Sequence, residues 1–153
     1  MILADSKPKS LPDWYPIPKS PHVTKTMKGN KKTGTKPELL LRKALWSSGI
    51  RGYRLHCKEL PGKPDLCFRG KKLVVFVHGC YWHRCPSCAI AAPRHNEGYW
   101  SAKLQGNQDR DVRNKVSLEA QGWSVLTLWE CEIKREIDSC VRKVQQAIND
   151  SRQ

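Results

Sequence analysis

The feature that most constrains the fold is a run of consecutive apolar residues from Leu73 to Val77, which ends at His78. Consecutive rather than alternating apolar positions predict a strand that is covered on both faces and therefore lies inside a sheet. The residues that follow it combine side chains that move protons, contact bases and bind metals: Cys80, Tyr81, Trp82, His83, Cys85 and Cys88. We therefore expect a functional site at the end of this strand.

The remaining patterns predict an α/β domain with a mixed central β-sheet flanked by helices. Thr35-Lys36-Pro37-Glu38 fits a helix-capping box, and the helix is predicted to end at Gly49. Further strands are predicted at 53–57, 65–68 and 123–129, and further helices at 99–104, 107–121 and 135–148. Gly106 is expected to separate the first two of these helices.

The chain divides into two regions by composition. Residues 1–21 contain five prolines among lysines and serines, which predicts a disordered or extended arm. Residues 22–150 form the predicted domain. Within it, Trp46, Trp123 and Trp129 fall in apolar patterns and are expected in the core.

The charge of the chain indicates a polyanionic partner. Lys and Arg number 28 against 14 Asp and Glu, a formal net charge of +14, and nucleic acid is the partner we expect. The alternative is a basic protein without such a partner. No apolar stretch reaches the roughly 18 residues of a membrane span, so an intracellular location with reduced thiols is expected.

Asp65 and His78 are expected to lie close together, because a tight turn joins their predicted strands. A carboxylate with a backbone carbonyl is a fitting Mg²⁺ site for phosphate chemistry, and His83 is a candidate general base. Other interpretations stay open. Pro64-Asp65 is a common turn pair, Glu38 serves a capping box, and the two histidines are also possible zinc ligands.

The cysteines at 80, 85 and 88 supply three thiols in a short irregular segment, and Cys131 is the best candidate for a fourth. Four thiolates predict a closed, structural zinc site. The alternative is a redox Cys-x-x-Cys motif, but the segment does not open a helix directly after a strand as such motifs do. Cys57, Cys67 and Cys140 have the spacing of small core residues.

Two aromatic pairs, Tyr81-Trp82 and Tyr99-Trp100, flank the predicted polar loop. Aromatic side chains beside a site for phosphate chemistry suggest a wedge that unstacks bases. The alternative is ordinary loop packing.

With these motifs laid out, the chain resembles the very-short-patch repair (Vsr) endonucleases over roughly residues 24–140. These bacterial enzymes nick DNA beside a thymine mispaired with guanine. The resemblance rests on Thr35-Lys36-Pro37-Glu38, Leu60-Pro61-Gly62-Lys63-Pro64-Asp65, Phe76-Val77-His78-Gly79-Cys80-Tyr81-Trp82-His83, Tyr99-Trp100, Asn107-x-x-Arg110-Asp111, and Gly122-Trp123 leading to Trp129-Glu130-Cys131. It implies a restriction-endonuclease-like fold, catalytic Mg²⁺ and structural Zn²⁺.

The resemblance also implies roles for individual residues. Asp65 would bind Mg²⁺ together with the Val77 carbonyl, and His83 would be the general base. The other catalytic roles fall on His78 at the phosphate or leaving group, Glu38 orienting a metal-bound water or His83, and Asp111 as a supporting carboxylate. DNA contacts are expected from the wedge of Tyr81, Trp82 and Trp100 with Met27 on the other side, and from Lys103 and Asn107 at the mismatch.

The chain departs from the family pattern at several positions. Val77 stands where threonine is familiar, so only its carbonyl can bind a metal. The triplet Val77-His78-Gly79 lacks the lysine common in nucleases, which favours a histidine base. The zinc segment has cysteines at 85 and 88 where histidine and cysteine are often mixed, and Gly34 occupies a position that is often acidic.

Three functions therefore stay open: a T·G mismatch nicking enzyme, a related nicking or restriction enzyme with another target, and an inactive zinc-stabilised DNA-binding protein. The first is favoured because the predicted catalytic set and the wedge are both present. The protein is expected to act as a monomer on double-stranded DNA. The sequence names no repair-protein partner.

Overall fold

The computed structural model of the protein describes residues 30–151, so the predicted arm at 1–21 and Met27 lie outside the described residues. In that part of the chain, four strands and four α-helices form the domain. They are α1 Lys36–Ser47, β1 Arg54–Leu55, β2 Leu66–Phe68, β3 Leu73–His78, α2 Glu97–Ala120, β4 Ser124–Trp129, α3 Glu130–Arg135 and α4 Ile137–Asp150.

The strands form one mixed sheet in the order β1-β2-β3-β4. The β1–β2 and β2–β3 pairs are antiparallel, and β3 pairs with β4 in parallel. Leu66 lies opposite Val75 in the middle of β3, and His78 lies opposite Trp129 at its C-terminal end. Helix α2 is the crossover that parallel strands require. The predicted α/β class and mixed sheet are confirmed.

Strand β3 is covered on both faces, as its apolar run predicts. Leu73 and Val75 pack in one buried cluster with residues of α1 and α4, including Leu41 and Val144. Val74 belongs to a second cluster on the other face, with Leu118 of α2. Complete burial of a Leu or Val side chain contributes about 1.5–3 kcal/mol, so these two clusters fix β3 between the helices.

Helix α1 begins differently from the predicted capping box. The Glu38 carboxylate accepts hydrogen bonds from the Gly34 N–H at 2.8 Å and the Thr35 hydroxyl at 3.0 Å. The Thr35 side chain makes no bond to a helix N–H, so the reciprocal capping-box prediction is wrong. Glu38 reaches one residue further back, to Gly34, whose φ of +64° suits glycine.

Helix α2 continues through Gly106 as one 24-residue helix, so the predicted break is wrong. A glycine costs a helix about 1 kcal/mol relative to alanine, and the buried Leu104 and Leu118 hold α2 on both sides of it. At 1.5 Å per residue α2 is roughly 36 Å long. No helix between residues 30 and 151 has the length and apolar character needed to cross a membrane.

Trp46 is not a core residue, contrary to the prediction. Its side chain is 61% exposed, and the Arg51 guanidinium lies 3.5 Å from the ring centroid. Leu41 and Leu45 occupy the inward side of α1, and the next residue is turned about 100° away from Leu45. Trp123 and Trp129 are partly buried.

Candidate active site and cysteine cluster

Asp65 lies beside the C-terminal half of β3, because Leu66, the next residue, pairs with Val75. Its carboxylate accepts a hydrogen bond from the Val77 N–H at 2.7 Å. Burial raises the pKa of Asp65 from 3.8 to about 7, and the Val77 bond only partly offsets that effect. The negative charge of Glu38 raises the pKa further. The site therefore holds a carboxyl group whose charge is poorly compensated.

Glu38 and His56 both lie close to Asp65. Glu38 is 4% exposed, and its Oε2 lies 3.9 Å from the His56 Nε2. One ligand atom each from Glu38, His56 and Asp65 fall within 4.8 Å of one another. His56 was not predicted as a site residue, although its place in the strand before the Pro61-Gly62 turn puts it across from Asp65.

A second cluster is built from His78, His83 and Asp111. The two imidazole rings stack with centroids 3.9 Å apart at an angle of 8°. His83 Nδ1 lies 2.6 Å from Asp111 Oδ2. Because an ionised carboxylate only accepts hydrogen bonds, Nδ1 is the donor, which leaves Nε2 of a neutral His83 as a proton acceptor.

The two clusters share one electrostatic environment. Burial, followed by the charge of His83, lowers the pKa of His78 to about 4, so His78 is neutral at pH 7. The charge of His83 also acts on Asp65, where it lowers the pKa. A carboxylate, a neutral histidine and a histidine–aspartate pair thus lie together at the C-terminal end of β3.

The aromatic residues form one group next to this site. Trp82 packs against Tyr81 with centroids 4.9 Å apart and against Trp100 at 6.2 Å. Tyr99 contacts Trp100 at 5.3 Å. The ammonium of Lys103 lies 5.6 Å from the Trp82 centroid and 5.3 Å from that of Trp100. All four rings are partly exposed, so the group combines apolar faces with a positive charge.

Helix α2 contacts both the Trp82 backbone and His83 through side chains four residues apart. Asn107 Nδ2 donates a hydrogen bond to the Trp82 carbonyl at 3.0 Å, and its Oδ1 accepts one from Arg110. One turn further, Asp111 binds His83. Asn107 therefore positions the backbone of the aromatic segment, a contact that the sequence did not indicate.

The cysteine cluster flanks Tyr81 and Trp82 in the chain, since Cys80 precedes them and Cys85 follows. The Sγ atoms of Cys80, Cys85, Cys88 and Cys131 fall within 4.8 Å of one another, and the Cys85–Cys131 pair is 3.8 Å apart. Four ligands at about 2.3 Å around a tetrahedral ion are about 3.8 Å from each other. The cluster therefore has the dimensions of a four-thiolate metal site.

The backbone of this segment folds around the sulfur atoms. Cys85 N–H donates to the Cys80 carbonyl at 2.9 Å, and Arg84 takes a left-handed φ of +53°. Burial raises the pKa of Cys85, but the N–H groups of Cys88 and Ser87 with the neighbouring thiols outweigh it and the pKa is lowered overall. Burial raises the pKa of Cys80 to about 12. A metal ion bound to these thiols would displace their protons.

Comparison with known proteins identifies the family of this chain. The sequence profile of the DNA mismatch endonuclease Vsr family matches residues 19–89. The DNA mismatch endonuclease Vsr of Escherichia coli strain K12 is 32% identical over 111 residues, which cover 72% of this chain and 70% of the relative. This chain belongs to the Vsr family of DNA mismatch endonucleases.

Other Vsr relatives carry a different description. The type II nicking enzyme V.XorIIP of Xanthomonas oryzae pv. oryzae is 46% identical over 100 residues, 65% of this chain and 72% of the relative. The type II nicking enzyme V.NmeDIP of Neisseria meningitidis serogroup C is 39% identical over 127 residues, 82% and 85% of the two chains. The predicted family and the endonuclease class are confirmed, whereas the roles of individual residues stay predictions.

Proposed function

We propose that this protein is a Mg²⁺-dependent endonuclease, with a restriction-endonuclease-like fold, that nicks one DNA strand beside the thymine of a T·G mismatch. The observation that carries the proposal is the adjacency of the poorly compensated Asp65 carboxyl to the His83–Asp111 pair. A metal-binding carboxylate and an oriented base are the two groups that phosphodiester hydrolysis requires.

The donor set fits Mg²⁺, which prefers oxygen ligands and retains several waters. Asp65 and Glu38 offer carboxylate oxygens within one group of facing ligand atoms, and Val77 would add its backbone carbonyl. Burial already disfavours the charge on Asp65, so a divalent cation would stabilise its ionised form. Bound there, Mg²⁺ would stabilise negative charge on the scissile phosphate.

Side chains of the protein supply proton transfer, hydrogen bonding to the phosphate and orientation of the water. His83 Nε2 takes a proton from the attacking water, while Asp111 fixes the ring and stabilises the imidazolium. His78, neutral at pH 7, donates an N–H hydrogen bond to the phosphate or the leaving group. Glu38, already fixed by Gly34 and Thr35, orients the water.

DNA recognition would combine charge and aromatic faces. The net charge of +14 favours the duplex backbone. Tyr81, Trp82 and Trp100 would insert beside the mispaired bases, because a mismatch lowers the cost of unstacking. Met27 would act from the opposite side, and Lys103 and Asn107 would contact the mismatch. We expect a cytoplasmic, nucleoid-associated monomer acting on double-stranded DNA.

Structural Zn²⁺ is the proposed occupant of the cysteine cluster, because four closed thiolate ligands are typical of structural zinc. It would anchor the loop that carries Tyr81, Trp82 and His83 to Cys131 beyond β4. Elemental analysis of purified protein should give about one zinc ion per chain.

A second candidate is a Vsr-like nicking enzyme with another DNA target, which the descriptions of V.XorIIP and V.NmeDIP as type II nicking enzymes favour. Labelled duplexes with a T·G mismatch, their T·A and C·G counterparts and a scrambled flank separate the two. Nicking of the T·G duplex alone supports mismatch repair, whereas cutting of matched duplex supports the second candidate. Binding of all duplexes without cleavage in Mg²⁺ or Mn²⁺ would contradict both.

Single substitutions test the assigned roles. Asp65→Ala should abolish nicking while DNA binding persists, and His83→Gln should lower the nicking rate by about 10²–10⁴-fold, the usual contribution of a general base. Asp109→Ala, an exposed carboxylate of α2, is the matched control and should nick normally. Unchanged activity in the Asp65 variant would refute the metal assignment.

A further inference from the structure

The backbone of the β1–β2 hairpin holds His56 next to Asp65. The His56 N–H donates to the Asp65 carbonyl at 3.1 Å, and the Cys57 N–H donates to the Pro64 carbonyl at 3.2 Å. Antiparallel pairing thus continues beyond the two residues of β1. His56 itself has a φ of +48°, an uncommon conformation for a residue with a side chain, and one that concentrates at functional sites.

The contact between His56 and Glu38 is not a hydrogen bond. The 3.9 Å between His56 Nε2 and Glu38 Oε2 exceeds the 2.7–3.2 Å range of N–H···O bonds. Both oxygens of Glu38 already accept hydrogen bonds, from Gly34 and Thr35. Direct pairing with Glu38 therefore does not account for the position of the His56 ring.

The spacing does fit a shared ion. Ligand atoms on one octahedral ion with bonds of about 2.1 Å lie about 3.0 Å apart when adjacent and about 4.2 Å apart when opposite. The 3.9 Å between His56 Nε2 and Glu38 Oε2 falls in this range, and the facing atoms of Glu38, His56 and Asp65 all lie within 4.8 Å of one another. The His56 side chain is 28% exposed, which leaves space for its ring to move toward the ion.

We propose that His56 is a third ligand of the catalytic metal and makes the site prefer Mn²⁺ over Mg²⁺. This inference deepens the proposed function and rests on its metal site. Mg²⁺ favours an all-oxygen shell, whereas first-row transition ions accept imidazole nitrogen. His56 would therefore strengthen Mn²⁺ binding and leave Mg²⁺ bound mainly through Asp65.

The test measures binding of the metals alone to the full chain, without DNA. Free Mn²⁺ is followed by electron paramagnetic resonance, and Mg²⁺ affinity is obtained by competition. His56→Gln should lower Mn²⁺ affinity by about tenfold and change Mg²⁺ affinity by less than about twofold, because Mg²⁺ gains little from nitrogen. His95→Gln, an exposed histidine in the loop before α2, is the control and should change neither.

Mn²⁺ bound to the parent protein also gives a spectroscopic signal, and this signal can be measured whether or not the variant folds. Spin-echo modulation should show coupling to an imidazole nitrogen in the parent and lose it in His56→Gln. Absence of that coupling in the parent, or an equal fall of both affinities in the variant, would overturn the proposal. Asp65→Asn distinguishes failure of the His56 proposal from failure of the proposed function. Unaltered Mn²⁺ binding in the Asp65→Asn variant would overturn the Asp65 metal site itself.

Discussion

Replacing Asp65 by asparagine should stabilise the protein at alkaline pH when no divalent metal is bound to that carboxyl. Burial is the main cause that raises the pKa of Asp65 to about 7, against 3.8 ordinarily. Between pH 4 and pH 7 the unfolded chain has therefore lost this proton and the folded chain retains it. Stability falls with rising pH wherever the folded state binds more protons, so the parent loses stability across this window.

The magnitude follows from the width of that window. Each pH unit between the two pKa values lowers the free energy of unfolding by about 1.4 kcal/mol, so the upper bound of this loss above pH 7 is about 4 kcal/mol. Asp65 keeps some contact with solvent, and we take about 2 kcal/mol as the expected gain in the free energy of unfolding. Asparagine is isosteric and its carbonyl still accepts the Val77 N–H, so the geometry is retained.

Thermal unfolding of parent and variant at pH 4.5 and pH 8, after dialysis against Mg²⁺-free buffer, measures the effect. About 2 kcal/mol corresponds to a rise of roughly 4–8 °C in Tm for a chain of this size. The gain should be fully present at pH 8 and fall to about a quarter of that value at pH 4.5. Added Mg²⁺ should then raise the Tm of the parent only.

The exposed Asp109→Asn is the matched control and should shift stability by no more than about 0.5 kcal/mol at either pH. An equal gain from Asp65→Asn at both pH values would show that the carboxylate charge is not the cause. A parent more stable than the variant at pH 8 would refute the burial argument.

Three further predictions concern stability and metal. Gly106→Ala should raise the free energy of unfolding by about 0.5–1 kcal/mol in urea titrations, because nothing lies within 4 Å of the added methyl group in α2; a loss of stability would imply a hidden contact. Gly62→Ala should cost more than Gly52→Ala. Both have φ near +80°, at +74° and +82°, but a methyl group at 62 would lie 2.8 Å from Asn114 Nδ2 while none is met at 52. We expect about 2–3 against about 1–2 kcal/mol, and equal losses would refute the steric argument. A zinc-selective chelator should abolish nicking in excess Mg²⁺ and expose the loop around Cys85 to protease. Unchanged cleavage patterns would contradict the structural role of the cluster.

The local sequence pattern was sufficient to predict the central strand, β3. The apolar run from Leu73 predicts β3 because a strand that is buried on both faces needs apolar residues at consecutive positions. The nearness of Asp65 to the end of β3 follows equally from a tight turn between neighbouring strands. The fourth thiol, Cys131, comes to the other three because β4 runs parallel to β3 and ends at the same edge.

Other features depend on contacts that a linear pattern does not contain. His56 was missed because its role depends on hairpin register and on a positive φ. Trp46 was assigned to the core because apolar character does not reveal that Arg51 will cover an outward ring. The Gly106 prediction failed because packing on both sides of the glycine outweighs its local propensity.

Helix α2 also limits how this protein can diverge. Lys103, Asn107 and Asp111 serve the aromatic group, the Trp82 carbonyl and His83 in turn, at a fixed step of about 6 Å along one rod. Deleting one residue between them would turn everything beyond it by about 100° about the helix axis and would separate the contact to the Trp82 carbonyl from the contact to His83. The positions between these three residues can therefore vary in composition but not in number, whereas a change of length in the irregular segment at 89–96 would leave their spacing unaltered.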